Sequence, residues 1–160
     1  MRLGSFLVIL SLVACTNVEQ APTPMAVTQL DRATFDRCVA PILIRNCSFN
    51  ACHGNEGFAL RVYSVGKLRF PGTANTQDAR TQPLTQAEND ANYQSAIAFT
   101  YGGPSAADNL LVRKPLPAAA GGFEHVGGAI FSGTDDPCAQ QLRAWLSGIS
   151  AECPNPGICQ

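Results

Sequence analysis

The chain has 160 residues, 46% of them hydrophobic, with 11 Lys/Arg against 12 Asp/Glu and a formal charge of −1. That length builds one domain comfortably and not two. The near-neutral balance excludes the basic stripe that a nucleic-acid binder needs, so no nucleic acid is expected as a partner.

Met1-Arg2 opens a run that is apolar from Leu3 to Val13, interrupted by Gly4, Ser5 and Ser11. A positive start ahead of so short an apolar core predicts an export signal, too short to stay in a bilayer as a spanning helix. Leu12-Val13-Ala14-Cys15 resembles the lipobox of bacterial lipoproteins. The resemblance implies cleavage after residue 14 and lipid on Cys15, with two or three acyl chains for durable anchoring. The competing reading is an ordinary signal peptide with a chance cysteine. Thr16 does not supply the aspartate associated with inner-membrane retention, so the leaflet stays open. Losing residues 1–14 removes Arg2, leaving ten basic residues against twelve acidic ones. Residues 15–30, with Pro22 and Pro24 among small and polar neighbours, read as a flexible tether.

Order is expected from Asp31 or Thr34, either of which can cap a helix. Phe35, Cys38, Val39, Ile42 and Leu43 fall on one stripe at helical spacing. Pro41 lies inside that run and predicts a kink or a division into two short helices. The helix leads into Cys47-Ser48-Phe49-Asn50-Ala51-Cys52-His53, two thiols followed directly by an imidazole. This order fixes a c-type haem: each thiol adds across one porphyrin vinyl group, and His53 is placed to ligate iron from the proximal side. The common spacer between the cysteines has two residues; here it has four, which can bulge outward. Three other readings compete. Cys47 and Cys52 can form a local disulfide, hold zinc with His53 and a distant ligand, or simply pack as buried thiols.

Beyond Gly54, Phe58 to Tyr63 alternates loosely and predicts a short extended segment. Phe70–Gln82, rich in Pro, Gly, Thr and Asn, reads as surface loop. Thr85-Gln86-Ala87-Glu88 is a capping-box pattern opening a helix that carries Tyr93 and Ile97 and ends before Gly102-Gly103-Pro104. In residues 105–134, Gly121-Gly122 and Gly127-Gly128 bracket His125 and allow the main chain to approach a flat ligand closely. Asp136-Pro137 predicts an N-cap and first helical residue, Cys138, Leu142, Trp145 and Leu146 a helical stripe, and Gly148 its end.

Seven cysteines is an odd count for an exported chain. Parity is restored if Cys15 takes lipid and Cys47 and Cys52 take haem, leaving Cys38, Cys138, Cys153 and Cys159 for two structural disulfides. Three connectivities are open. Cys153–Cys159 across a Pro- and Gly-containing turn, with Cys38–Cys138 joining the two helical stripes, is the favoured one.

An N-terminal helix, a Cys…Cys-His motif, a loop-rich middle and a Trp-bearing C-terminal helix together resemble a class I c-type cytochrome. The chain is similar to single-haem domains of bacterial envelope lipoproteins, through Pro41-Ile42-Leu43, Cys47 to Gly54, Leu110-Leu111, Lys114-Pro115, His125, Gly127-Gly128 and Leu142 to Gly148. The resemblance covers most of residues 34–148 and departs in its four-residue spacer and its missing methionine. It implies a mainly α, cytochrome c-like fold, with short helices and long loops wrapped around one covalent haem c and crossing terminal helices. The domain is expected over 31–150, with a disulfide-closed tail over 151–160.

After export only Met25 remains, in the tether, so His125 is the expected distal ligand and the iron bis-histidine. The open alternatives are five-coordinate iron, Lys114 or a backbone group. With both axial positions filled, the expected role is that of an electron carrier rather than an enzyme. It would be anchored to an envelope membrane through its N-terminal lipid, in the periplasm or at the cell surface, and would exchange single electrons with other redox proteins. A haem-based ligand-binding or sensor module and a haem-free, disulfide-stapled adaptor lipoprotein are the competing functions.

Overall fold

The structure is a computed structural model, and it describes residues 30–72, 77–100, 105–149, 153 and 159. The signal sequence, Cys15 and nearly all of the tether lie outside these residues, as do most of the tail and Gly102-Gly103-Pro104. The domain is mainly α-helical, as expected, and among the described residues it contains no strand. Phe58–Tyr63 is irregular rather than part of a sheet, its Val62 N–H donating to His53 O at 2.8 Å.

Asp31 caps the first helix, its carboxylate accepting from Thr34 N at 2.6 Å. Helix α1 (Arg32–Thr34) passes through a π-helical turn (Phe35–Val39) into α2 (Ala40–Asn46). The run is divided just before Pro41, as expected, with α2 opening at Ala40 and Pro41 in its first turn. Ala40 N bonds Phe35 O, five residues back, and this widened turn makes room for the proline ring, which would otherwise strike a carbonyl of the preceding turn. The stripe buries Phe35, Cys38, Val39, Ile42 and Leu43, all five as expected.

The surface-loop expectation for 70–82 needs correction, because α3 (Gln77–Thr81) forms within it. Helix α4 (Gln86–Ala98) opens on the full reciprocal capping box of Thr85 and Glu88. A 3-10 turn (Ala106–Asp108), α5 (Leu110–Arg113) and a second 3-10 turn (Ala118–Ala120) follow. Helix α6 (Pro137–Leu146) starts with Pro137 behind the Asp136 cap, and Gly148 leaves it with φ of 72°.

The core forms where α6 lies against the π-helical turn. Trp145 is fully buried with its ring 5.4 Å from Phe35, and its indole N–H donates to Asp31 O at 3.0 Å. Tyr93 of α4 meets the other side of Phe35 edge-on at 5.2 Å and donates its hydroxyl to Leu30 O at 2.6 Å. Gln141 donates to Cys38 O at 3.0 Å, so the first and last helices do meet beside the two helix cysteines.

The favoured disulfide connectivity is nevertheless wrong. The bridges are Cys38–Cys153 and Cys138–Cys159, with Cα–Cα separations of 5.5 and 5.3 Å. Each helix thiol is captured by the tail instead of by the other helix. A helical stripe identifies a buried thiol but not which buried thiol lies opposite it.

Candidate functional site

The four-residue spacer folds back on itself. Cys52 N and Gly54 N both donate to Phe49 O, at 2.8 and 3.0 Å, and His53 N donates to Cys47 O at 3.1 Å. Ser48 is buried, donates its hydroxyl to Ile44 O and accepts from Lys67 Nζ at 2.9 Å. Two thiols and an imidazole are thereby presented from one tight turn at the end of α2. Cys47 and Cys52 are free and half-buried, so they do not form the local disulfide that the sequence left open. Burial, and secondarily the neighbouring Cys52 charge, pushes the Cys47 thiol up to about 12, so it stays protonated at neutral pH.

The turn has no room for a side chain at Gly54: a Cβ there would lie 2.0 Å from Ser48 O. Gly54→Ala is therefore expected to lose about 1–3 kcal/mol, read as the midpoint of urea unfolding. An unchanged midpoint would mean that the turn is not closed as described.

His125 sits on a loop strapped to the end of α5. Phe123 N donates to Arg113 O at 3.1 Å, Lys114 Nζ to Glu124 O at 2.9 Å, and Ile130 N and Phe131 N to Pro115 O at 2.8 and 3.0 Å. Lys114, which the sequence offered as another iron ligand, is thus engaged as one of the straps. A Cβ at Gly127 would lie 3.0 Å from His125 Cε1, which is why glycine fits beside the ring.

The two histidines come together. Their ring centroids are 6.1 Å apart and the planes are inclined by 11°. Each Nδ1 lies 3.0 Å from a main-chain carbonyl, Leu60 O for His53 and Gly128 O for His125. A carbonyl only accepts, so each Nδ1 carries the hydrogen, and in the neutral ring the lone pair is on Nε2. Burial lowers the His53 pKa, against the opposing effect of the Leu60 bond, and keeps that ring neutral at pH 7.

The surroundings are apolar and uncovered. Phe49 and Phe58 near the motif, and Phe123, Val126 and Ile130 around His125, are all exposed. Phe58 meets His53 edge-on at 5.9 Å. Lys67 Nζ lies 4.0 Å above the Phe49 ring and Arg113 Cζ 3.8 Å above that of Phe123. Sequence reasoning did not pick out this collar. Its signal was large apolar residues placed in otherwise polar, glycine-rich loops.

The expectation of a cytochrome-type iron centre for electron transfer has to be corrected as a description of what the fold builds. Among the described residues, no group of three or more His, Cys, Asp or Glu could hold a metal ion, which also removes the zinc reading. The physical reason is that Cys47, Cys52 and His53 share one turn and only His125 approaches from elsewhere. Of the five cysteines outside the motif, Cys38, Cys138, Cys153 and Cys159 are consumed in the two disulfides. What the chain displays is a disulfide-stapled helical domain in which two free thiols and one imidazole share a turn and a second imidazole approaches the first. Among the described residues, no helix is long and apolar enough to cross a membrane.

No protein-family model, curated protein or solved structure matches the chain.

Proposed function

We propose that this is a disulfide-stapled binding module whose cleft between His53 and His125 takes one flat, largely apolar ligand. The observation that carries the reading is the pair of near-parallel imidazoles, 6.1 Å apart, with both Nδ1 atoms tied to carbonyls. A ligand that brings its own metal needs only these two donors from the chain. The exposed apolar collar adds support, because soluble domains rarely leave such surface uncovered around a polar centre. Haem is the ligand whose chemistry fits the donor set: the Cys47 and Cys52 thiols would hold its edge, and His53 and His125 its iron. When bound, it would supply reversible redox or gas-binding chemistry. The domain's share would be to hold the two imidazoles in one tautomer and keep water from the apolar face.

On this reading the domain belongs to an exported lipoprotein of the cell envelope, anchored through Cys15, in a cytochrome c-like arrangement of helices. The haem-free adaptor is the second reading. It draws on the high, unreactive state of the Cys47 thiol and on the two disulfides, which tie the tail to the first and last helices.

The test is full-length protein matured in an exporting bacterial host. Pyridine haemochrome absorbance that persists after denaturation is expected, with a low-spin spectrum that becomes high-spin in His125→Ala. Carbon monoxide added to the reduced protein then separates a gas-binding module, which takes it up, from a hexacoordinate electron carrier, which resists it. Colourless protein with intact thiols would leave the adaptor.

A further inference from the structure

A cleft of about 330 Å³, lined by none of the motif residues, lies beside α5 and α6. Arg113 from α5 and Arg143 from α6 line it, with Asp108, Gly121 and Thr134. Neither arginine has a carboxylate within ion-pair distance among the described residues. Both are held in place by neutral groups. Arg113 donates from Nε to Gly121 O at 3.0 Å and lies 3.8 Å over the Phe123 ring. Arg143 donates from Nη1 to Thr134 O at 2.9 Å. Its Nε is buried and has no acceptor.

A guanidinium carries five donors in a fixed fork, and a buried donor with no acceptor normally marks a partner yet to be placed. Nη1 of Arg143 is already occupied, and its Nε and Nη2 share the edge of the guanidinium that pairs with a carboxylate through two parallel bonds. Arg113 uses Nε on Gly121, leaving its two terminal nitrogens for the same anion. The charge of the lining selects the class of ligand. Two arginines against Asp108, whose carboxylate accepts from Ser105 at 2.6 Å, leave one positive charge. A monoanion balances that charge, and a dianion would be repelled by Asp108.

We propose that this cleft is a binding site for a small monocarboxylate, clamped between Arg113 and Arg143. It shares the Arg113–Phe123 contact with the surroundings of His125 but does not rest on what the histidines hold.

The experiment is an acetate titration of the full-length protein at constant ionic strength, with sodium chloride as the control, following the arginine Nε–H signals by NMR. The Arg143 signal is expected to move to saturation with acetate and not with chloride. Arg113→Gln and Arg143→Gln should each weaken acetate binding at least tenfold. Arg143→Lys, which keeps the charge and loses the fork, should weaken it at least threefold. Arg113 lies at the exposed end of a short helix, so Arg113→Gln remains decisive even if an Arg143 variant fails to fold. A response that does not saturate, that chloride reproduces, or that survives Arg113→Gln overturns the proposal.

Discussion

Glu88→Gln is expected to cost about 3–5 kcal/mol of stability, the usual consequence of leaving one charge of a buried pair alone. Glu88 and Arg69 have fully buried side chains, joined by bonds of 2.8 and 2.9 Å. The remaining capacity of both groups is used. Glu88 also accepts from Phe70 N at 2.9 Å and from Thr85 N and Oγ at 2.8 and 3.0 Å. Arg69 also donates to the carbonyls of Arg80, Gln82 and Pro83, at 3.3, 2.9 and 3.1 Å. The pair therefore ties the segment after the motif, the residues behind α3 and the first turn of α4 into one unit. Removing both charges together, as in Arg69→Met with Glu88→Met, should cost less than Glu88→Gln alone, since no charge is then stranded. A single substitution costing under about 1 kcal/mol in urea unfolding would mean that the pair is solvated.

The same pair sets a pH dependence. Burial by itself would raise the Glu88 pKa, but the Arg69 bond and the donors from Thr85 and Phe70 outweigh it and hold the carboxyl at about 2. A depressed folded-state value contributes stability that is complete above the ordinary carboxyl range near 4.5 and is lost as pH falls towards 2. The loss across that window is about 3 kcal/mol. Glu88→Gln should flatten it.

Cys38→Ser is expected to be at least as damaging. It opens a bridge between residues 115 apart in sequence, worth about 5 kcal/mol on the chain-entropy model. Cys138→Ser opens one of 21 residues, worth about 3 kcal/mol on the same argument. Thiol labelling under denaturing conditions identifies the pairing independently of stability. Cys38→Ser should release Cys153 and leave Cys138 bridged to Cys159. Release of Cys138 instead would restore the helix-to-helix connectivity and remove the role given to the tail.

Local signals were legible where one segment satisfies its own chemistry. The Thr85–Glu88 box, the Asp31 and Asp136 caps, Pro137 behind its cap and Gly148 at the end of α6 all serve donors or carbonyls within a few residues of themselves. The buried stripe from Phe35 to Leu43 was equally readable, since helical periodicity alone places those residues on one face. The division at Pro41 was readable from the proline itself, but the π-helical turn ahead of it was not, because nothing in the local pattern announces one. The short α3 was hidden because its sequence carries turn residues and no apolar stripe.

By itself the sequence determined a single, mainly helical domain with a two-thiol turn and two histidines, because composition, caps and periodicity act over short distances. Which thiols pair, that Arg69 and Glu88 share a dry interior, and that residues 53 and 125 approach to 6.1 Å were decided only in the tertiary structure. These are meetings between segments far apart in the chain, set by how the helices and tail pack together, and no local pattern encodes that packing.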